Sequence, residues 1–136
     1  MSGVRDMKYE TRSTFETLEA WKMARNLRKE IAGLVKTFPQ EEKFRLTDQM
    51  IRASRSITAN IAESHGRYHY QENIQFCRQA RGSLYEMLDH ITVALDEDYI
   101  EQKVYENLRN MFFENIKVIN GYINYLKNQK ETTQLT

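Results

Sequence analysis

The residues with the clearest chemical spacing in this sequence are polar side chains between positions 49 and 63. They follow one another at intervals of three, four, four and three residues, which places them along one edge of a helix. Such groups could bind a polar ligand, but half-buried polar groups also need partners of their own. We favour a structural hydrogen-bond network over a ligand site, because such networks commonly specify packing. This polar ridge comprises Gln49, Arg52, Ser56, Asn60 and Glu63, and Glu86 on a later helix is grouped with it.

Enzymatic chemistry on the polar ridge would require Glu63 and Glu86 to act as a carboxylate pair. A salt bridge between Glu63 and Arg52 is the simpler outcome. The sequence has no phosphate-binding Gly-rich loop and no nucleophile elbow. Its single cysteine, Cys77, lies in a helical apolar pattern and is expected to be a buried structural thiol. We therefore predict a non-enzymatic protein and keep an enzyme only as a third alternative.

The histidines give little support for a metal site. His65 and His69 are four residues apart, but they span a Gly-containing loop with no nearby cysteine, and His90 is isolated. A di-iron helical bundle needs Glu-x-x-His, and no glutamate stands three residues before any histidine of this sequence. We predict neither a metal ion nor a cofactor.

A second chemical feature is a row of cations on the predicted first helix. Four of them share one face with no acid among them, over about 20 Å at 1.5 Å per residue. Such a track could contact phosphates, and the alternative is a solvated face whose charges are balanced by acids elsewhere in space. This basic stripe comprises Lys22, Arg25, Lys29 and Lys36, with Arg28 close by, and Arg52, Arg55 and Arg67 are candidates to extend it.

Composition favours one helical domain. The 136 residues are 40% hydrophobic and 29% charged, and they include one proline and five glycines. The net charge is only +1, but residues 1–69 carry 13 basic and 9 acidic side chains, whereas residues 70–136 carry 7 and 10. An anionic partner is therefore expected on the first half of the chain.

No apolar stretch approaches the roughly 18 residues that a membrane span needs. The first 12 residues also lack the apolar run of a signal peptide. We expect a cytoplasmic protein that has no membrane partner.

Apolar residues recurring at three and four positions predict four helices, at about 18–38, 40–63, 70–95 and 101–127. Pro39, the loop 64–69 and the acidic residues 96–98 separate them, and Ser13 or Thr17 is the candidate first cap. Short connections favour an all-α, antiparallel up-down-up-down four-helix bundle. We place this domain at residues 15–127, between flexible tails at 1–14 and 128–136.

The predicted fourth helix carries more apolar surface than one packing seam requires. A central position in the monomer would explain it, and so would self-association. The candidate oligomer interface comprises Tyr105, Phe112, Ile116, Ile119 and Ile123.

Several of these motifs resemble one known family. Leu-Glu-Ala-Trp-Lys-Met-Ala at 18–24, Asn-Ile-Ala-Glu at 60–63 and Gly-Ser-Leu-x-Glu at 82–86 are similar to four-helix bundle proteins related to those encoded in 23S ribosomal RNA intervening sequences. The resemblance covers about Phe15 to Ile123. It implies an up-down bundle, a ring-like homopentamer, and association with ribosomal RNA or another nucleic acid.

The sequence departs from that family pattern around the predicted loop. Ser64 stands where the family usually has glycine, His69 where a serine or threonine would cap the third helix, and Asn73 where phenylalanine is common. These departures concern the geometry of the loop rather than the fold.

We predict an oligomeric, non-enzymatic protein that contacts the phosphates of RNA or DNA, mainly through basic residues of its first two helices. The alternative is a protein-interaction scaffold whose ring holds a protein client. No aromatic stacking platform is apparent in the sequence, so binding should depend on salt and not on base sequence.

Overall fold

In the computed structural model, which describes residues 14–135, the protein is all-helical, and no β-strand occurs in this range. Its four α-helices are α1 (Glu19–Leu34), α2 (Leu46–Gly66), α3 (Tyr70–Asp96) and α4 (Gln102–Leu135). The predicted flexible tail at 1–14 lies outside the described residues except for Thr14.

Helix α1 buries one apolar face. Ala20, Ala24, Leu27 and Ile31 recur at intervals of four, three and four and are all buried. The helix begins after a 3-10 turn at Phe15–Thr17, whose cap is Thr14 and not the predicted Thr17. It ends at Leu34, and a second 3-10 turn at Val35–Thr37 leads to Pro39.

Helix α2 begins six residues later than predicted, at Leu46. Gln40–Glu42 forms a separate 3-10 turn, and non-helical backbone angles at Arg45 interrupt the path between the two elements. Glu42 nevertheless serves the start of α2, because its carboxylate accepts a bond from the Leu46 amide at 3.4 Å. The acid therefore acts at the helix start from outside the helix.

The predicted loop at 64–69 is shorter in the structure, since α2 continues to Gly66. Ser64 and Asn73, both buried, join the end of α2 to the start of α3. The Ser64 hydroxyl donates to the Asn73 carbonyl oxygen at 2.6 Å, and the Asn73 amide donates to the Ser64 and Arg67 carbonyl oxygens. Ser64 and Asn73, two positions at which the sequence departs from the family pattern, are thus hydrogen-bonded to each other.

The turn between α3 and α4 is a Schellman motif. Tyr99 and Asp98 donate their amides to the carbonyl oxygens of Ala94 and Leu95, and Asp98 has the left-handed φ of 60° that the motif requires. The turn delivers Tyr99 to the α1–α2 connection. There its ring packs on Phe38, and its hydroxyl donates to Glu42 at 2.7 Å, a bond that raises the pKa of Tyr99 to about 12.

Helix α4 continues to Leu135, eight residues past the predicted end at Lys127. The predicted end of the fourth helix is therefore wrong, and residues 128–135 are helical. These residues include no glycine or proline, so nothing in them breaks the helix. The Lys130 ammonium also donates to Gln71 on α3.

The core forms where α1 and α3 each pack against both α2 and α4. Four of the five predicted interface residues belong to this core: Phe112, Ile116, Ile119 and Ile123 are buried within the monomer, and Tyr105 is partly buried against it. The central position of α4 in the monomer, one of the two explanations considered, therefore accounts for this apolar surface, and the residues are not exposed as an oligomer interface. Within the described residues, no helix is long and apolar enough to cross a membrane.

Candidate nucleic-acid interface

The basic stripe is a solvent-exposed row of cations on α1 and the turn after it. Lys22, Arg25, Lys29 and Lys36 are all exposed, because the opposite face of the helix supplies the core. Within residues 14–135, none of the four forms an ion pair with a carboxylate. Arg25 lies 5.7 Å from the centroid of the Trp21 ring, within the range of a cation–π contact.

Arg28 and Arg55 extend the basic stripe across the groove between α1 and α2. The half-buried Arg28 donates from Nη1 to the Thr58 hydroxyl at 2.8 Å, and Arg55 is exposed. Together with Lys36 they border a cleft of about 300 Å³, whose apolar lining includes Val35 and Ile51. Neither arginine forms an ion pair within the described part of the chain.

The other two candidate extensions, Arg52 and Arg67, are bonded to acids. Arg52 lies 3.6 Å from Asp48 with its side chain 78% exposed. Arg67 lies 2.6 Å from Glu63 and 3.6 Å from Glu72, and its guanidinium also lies over the Phe76 ring. Both cations are therefore partly neutralised, and among the candidate residues the cations without an ion pair are those of α1, Lys36 and Arg55.

The polar ridge divides into a bonded centre and exposed ends. Ser56 shares a hydrogen bond of 2.9 Å with Ser83 on α3, and the Asn60 amide donates to the Ser56 carbonyl and hydroxyl oxygens. The predicted structural network is confirmed for this part. The sequence pattern did not place Ser83 in the ridge, although this residue belongs to the Gly-Ser-Leu motif.

The remaining ridge predictions are wrong. Arg52 and Glu63 do not meet: Arg52 is paired with Asp48 one turn earlier on α2, and Glu63 is paired with Arg67, the residue that follows α2. Gln49 is exposed, and Glu86 is exposed and lies 3.6 Å from His90 on its own helix, so neither belongs to the bonded centre of the ridge. The spacing does place these residues along one edge of α2. At both ends of the ridge, however, this edge is exposed to solvent.

Two exposed aromatic side chains lie over the core between α3 and α4. Tyr85 and Phe113 are about half-exposed, and each contacts the buried ring of Phe112, with ring centroids 5.0 and 5.1 Å apart. Arg109 lies 4.6 Å above Phe113. We call Tyr85 and Phe113 the aromatic patch.

A cleft at the end of the bundle was not predicted from the sequence. About 540 Å³ in volume, it lies between the α2–α3 connection and the last turns of α4. Four tyrosines line it, together with two histidines, Arg67 and Asn73. We call it the tyrosine cleft, after Tyr68, Tyr70, Tyr122 and Tyr125. The only sequence signal for it is the aromatic density of residues 68–70 and 122–125, and only the fold brings these distant segments together.

Two tyrosine rings of this cleft are open to solvent. Tyr68 is 92% exposed and stands edge-on to His69, whereas Tyr125 is 55% exposed and nearly parallel to Tyr122 at 6.2 Å. Burial raises the pKa of Tyr122 to about 12, so this phenol stays protonated at neutral pH. The cleft therefore offers flat rings and a neutral hydroxyl group.

Over residues 14–135, no three histidine, cysteine, aspartate or glutamate side chains are grouped so that they could hold a metal ion. Cys77 is buried as predicted, its sulfur lies 3.1 Å from the Ser64 hydroxyl, and burial raises the pKa of its thiol. This environment favours the unreactive thiol form.

Comparison with known proteins identifies a family and a similar solved structure. The family model described as 23S rRNA-intervening sequence protein matches residues 16–121, in agreement with the span predicted from the sequence motifs. A solved protein of unknown function from Bacteroides thetaiotaomicron, described as a member of the S23 ribosomal protein family, is 24% identical in sequence to this chain. The match covers 77% of this chain and 95% of that protein, with a TM-score of 0.72. That identity shows a shared fold alone. No curated protein matches the chain.

Proposed function

The chain belongs to the 23S rRNA-intervening sequence protein family, and we propose that it is a non-enzymatic, oligomeric protein that associates with RNA or other nucleic acid through phosphate contacts. The observation that carries this proposal is the clustering of exposed cations on α1, at Lys36 and at Arg55, none of which forms an ion pair within residues 14–135. A surface of this kind attracts polyanions whatever their base sequence.

An antiparallel, up-down order of the helices is part of this proposal. Its support is the order of contacts between neighbouring helices. Ser56 meets Ser83 while Ser64, later in α2, meets the earlier Asn73 in α3, and the same reversal relates α3 to α4. This order would present α1 and α2 side by side as one basic surface.

We also propose that the protein assembles as a homo-oligomeric ring, a pentamer as the family resemblance implies. The buried residues of α4 no longer support an interface, but the aromatic patch does, since rings as exposed as Tyr85 and Phe113 are typical of contact surfaces. A ring would repeat the basic stripe in every subunit, and repeated weak contacts would add by avidity.

The direct test of phosphate binding is reversal of charge on the basic stripe. The variant Lys22→Glu, Arg25→Glu, Lys29→Glu should bind RNA about tenfold more weakly or worse, because each phosphate that is no longer neutralised keeps its counterions. Fluorescence anisotropy over a series of salt concentrations measures both affinity and slope. For duplex DNA the slope should fall by about 0.9 for each phosphate that the variant no longer neutralises.

A matched control distinguishes the stripe from the effect of net charge. Lys103, Lys117 and Lys127 are exposed on α4, and reversing all three changes the net charge by the same amount. This control should retain more of the parental affinity than the stripe variant. Equal affinity of the folded stripe variant and the parent would reject the stripe as the site.

Assembly has its own test in the aromatic patch. The parent should be larger than 16.2 kDa in solution, and Tyr85→Ala, Phe113→Ala should shift it toward the monomer, because the exchange removes apolar contact area between subunits. Light scattering measures the mass. Phe44→Ala is the control, since Phe44 is an exposed phenylalanine outside the patch. A monomeric parent at micromolar concentration would contradict the proposal.

A protein-interaction scaffold is the second candidate, favoured by the cleft between α1 and α2. Apolar side chains of Val35 and Ile51 beside Arg28, Lys36 and Arg55 suit an acidic peptide that also carries apolar residues. A measurement of RNA binding at low salt distinguishes the two functions. If the folded parent binds no RNA there, the scaffold replaces the nucleic-acid role.

A further inference from the structure

The tyrosine cleft has no role in the phosphate contacts of the basic stripe. Exposed tyrosines stand on both of its sides, Tyr68 from the α2–α3 connection and Tyr125 from α4. Among the described residues that line it there is no aspartate or glutamate. The neighbouring acids Glu63 and Glu72 are both held by Arg67. A cleft of this composition suits a flat, hydrogen-bonding aromatic ring better than a cation.

The tyrosine cleft lies at the same end of the bundle as the start of the basic stripe. Tyr122, which lines the cleft, also borders a small cavity together with Leu18 and Ala20 at the beginning of α1. Lys22 follows Leu18 by one helical turn. A single strand that follows the stripe toward the beginning of α1 would therefore extend toward the cleft.

We infer that the tyrosine cleft holds an unpaired base of a single-stranded nucleic acid, stacked on the exposed rings of Tyr68 and Tyr125. The inference rests on the proposed function and adds to it a preference for single-stranded or bulged segments. Bases within a duplex are stacked on their neighbours and cannot enter the cleft, whereas an unpaired base offers both faces. Tyrosine rings stack on every base. The cleft should therefore distinguish single-stranded from double-stranded nucleic acid, and not one base sequence from another.

The test compares a short, fluorescently labelled, adenine-rich single strand of RNA with its duplex at low salt. The parent should bind the single strand more tightly. Tyr68→Ala, Tyr125→Ala should weaken single-strand binding about tenfold, the effect of losing one stacked base, and leave duplex binding unchanged. Both side chains are largely exposed, so the variant should stay folded, which circular dichroism checks.

Two matched variants separate ring stacking from other effects. Tyr68→Phe, Tyr125→Phe keeps both rings and should bind the single strand within about twofold of the parent. Phe44→Ala removes an exposed aromatic ring outside both the cleft and the aromatic patch and should not change the preference between strand and duplex. An effect of the phenylalanine exchange as large as that of the alanine exchange would overturn the stacking arrangement.

Four further outcomes are decisive. Equal parental binding of strand and duplex, or no effect of the alanine exchange, would overturn the inference while the phosphate contacts of the basic stripe still stand. If AMP competes as tightly as the single strand, the ligand of the cleft is a free nucleotide, and the inference of a strand is overturned. If the parent binds neither form of RNA, the inference fails together with the proposed function.

Discussion

Replacing Phe112 by alanine should destabilise the protein by about 3–5 kcal/mol, because it removes a fully buried ring and leaves a cavity. The Phe112 side chain is 1% exposed and is among the largest fully buried side chains of the described core. The loss should appear as a lower urea midpoint at fixed protein concentration, followed by circular dichroism. It is a large part of the roughly 5–15 kcal/mol by which typical domains are stable.

Phe44→Ala is the matched control for this core substitution. It makes the same chemical change at a side chain that is 84% exposed, so the free energy of unfolding should change by no more than about 0.5 kcal/mol. The comparison also separates the two roles considered for Phe112. If Phe112→Ala reduced the assembly mass but left the urea midpoint unchanged, Phe112 would be an interface residue after all.

Asn73→Ala should cost about 2–3 kcal/mol, because it removes both hydrogen bonds that the buried amide donates across the α2–α3 connection. The Ser64 and Arg67 carbonyl oxygens would each lose a donor. The connection should also become looser, and hydrogen exchange of the amides at the start of α3 should increase. The change in urea midpoint gives the free energy, and exchange locates it.

Asn107→Ala is the control for the helical preference of alanine. Both positions are helical, so both variants gain the same small intrinsic preference, but Asn107 is exposed on α4. The difference between the two variants isolates the buried bonds. Equal urea midpoints would mean that these bonds contribute nothing to stability.

The sequence by itself determined the helical class, the number of helices and most of the core. Apolar residues at intervals of three and four predicted the buried faces of α1 and α3, because a side chain on a helix can face the core only at that period. Cys77 and the bonded Ser56 and Asn60 followed from the same spacing. The family motifs could also be recognised in the sequence, since they depend on residue identity alone.

Helix ends were less predictable than helix centres. Helix α2 begins at Leu46 and not at the predicted residue 40, because Glu42 is bonded both to the Leu46 amide and to Tyr99. Tyr99 belongs to the α3–α4 turn, which is distant in the sequence. The continuation of α2 to Gly66 accompanies the bonds between Ser64 and Asn73. Contacts between segments far apart in the chain cannot be read from local pattern.

Only the tertiary structure decided which surfaces are free for function. The sequence assigned Phe112 and Ile119 to an interface, because periodicity reports that a face is apolar but not which surface covers it. It paired Arg52 with Glu63, but the two residues lie eleven positions apart on one helix, a rise of about 16 Å, which is too far for a salt bridge. The tyrosine cleft was invisible in the sequence, since Tyr68 and Tyr125 become neighbours of one cavity only when α3 and α4 pack together.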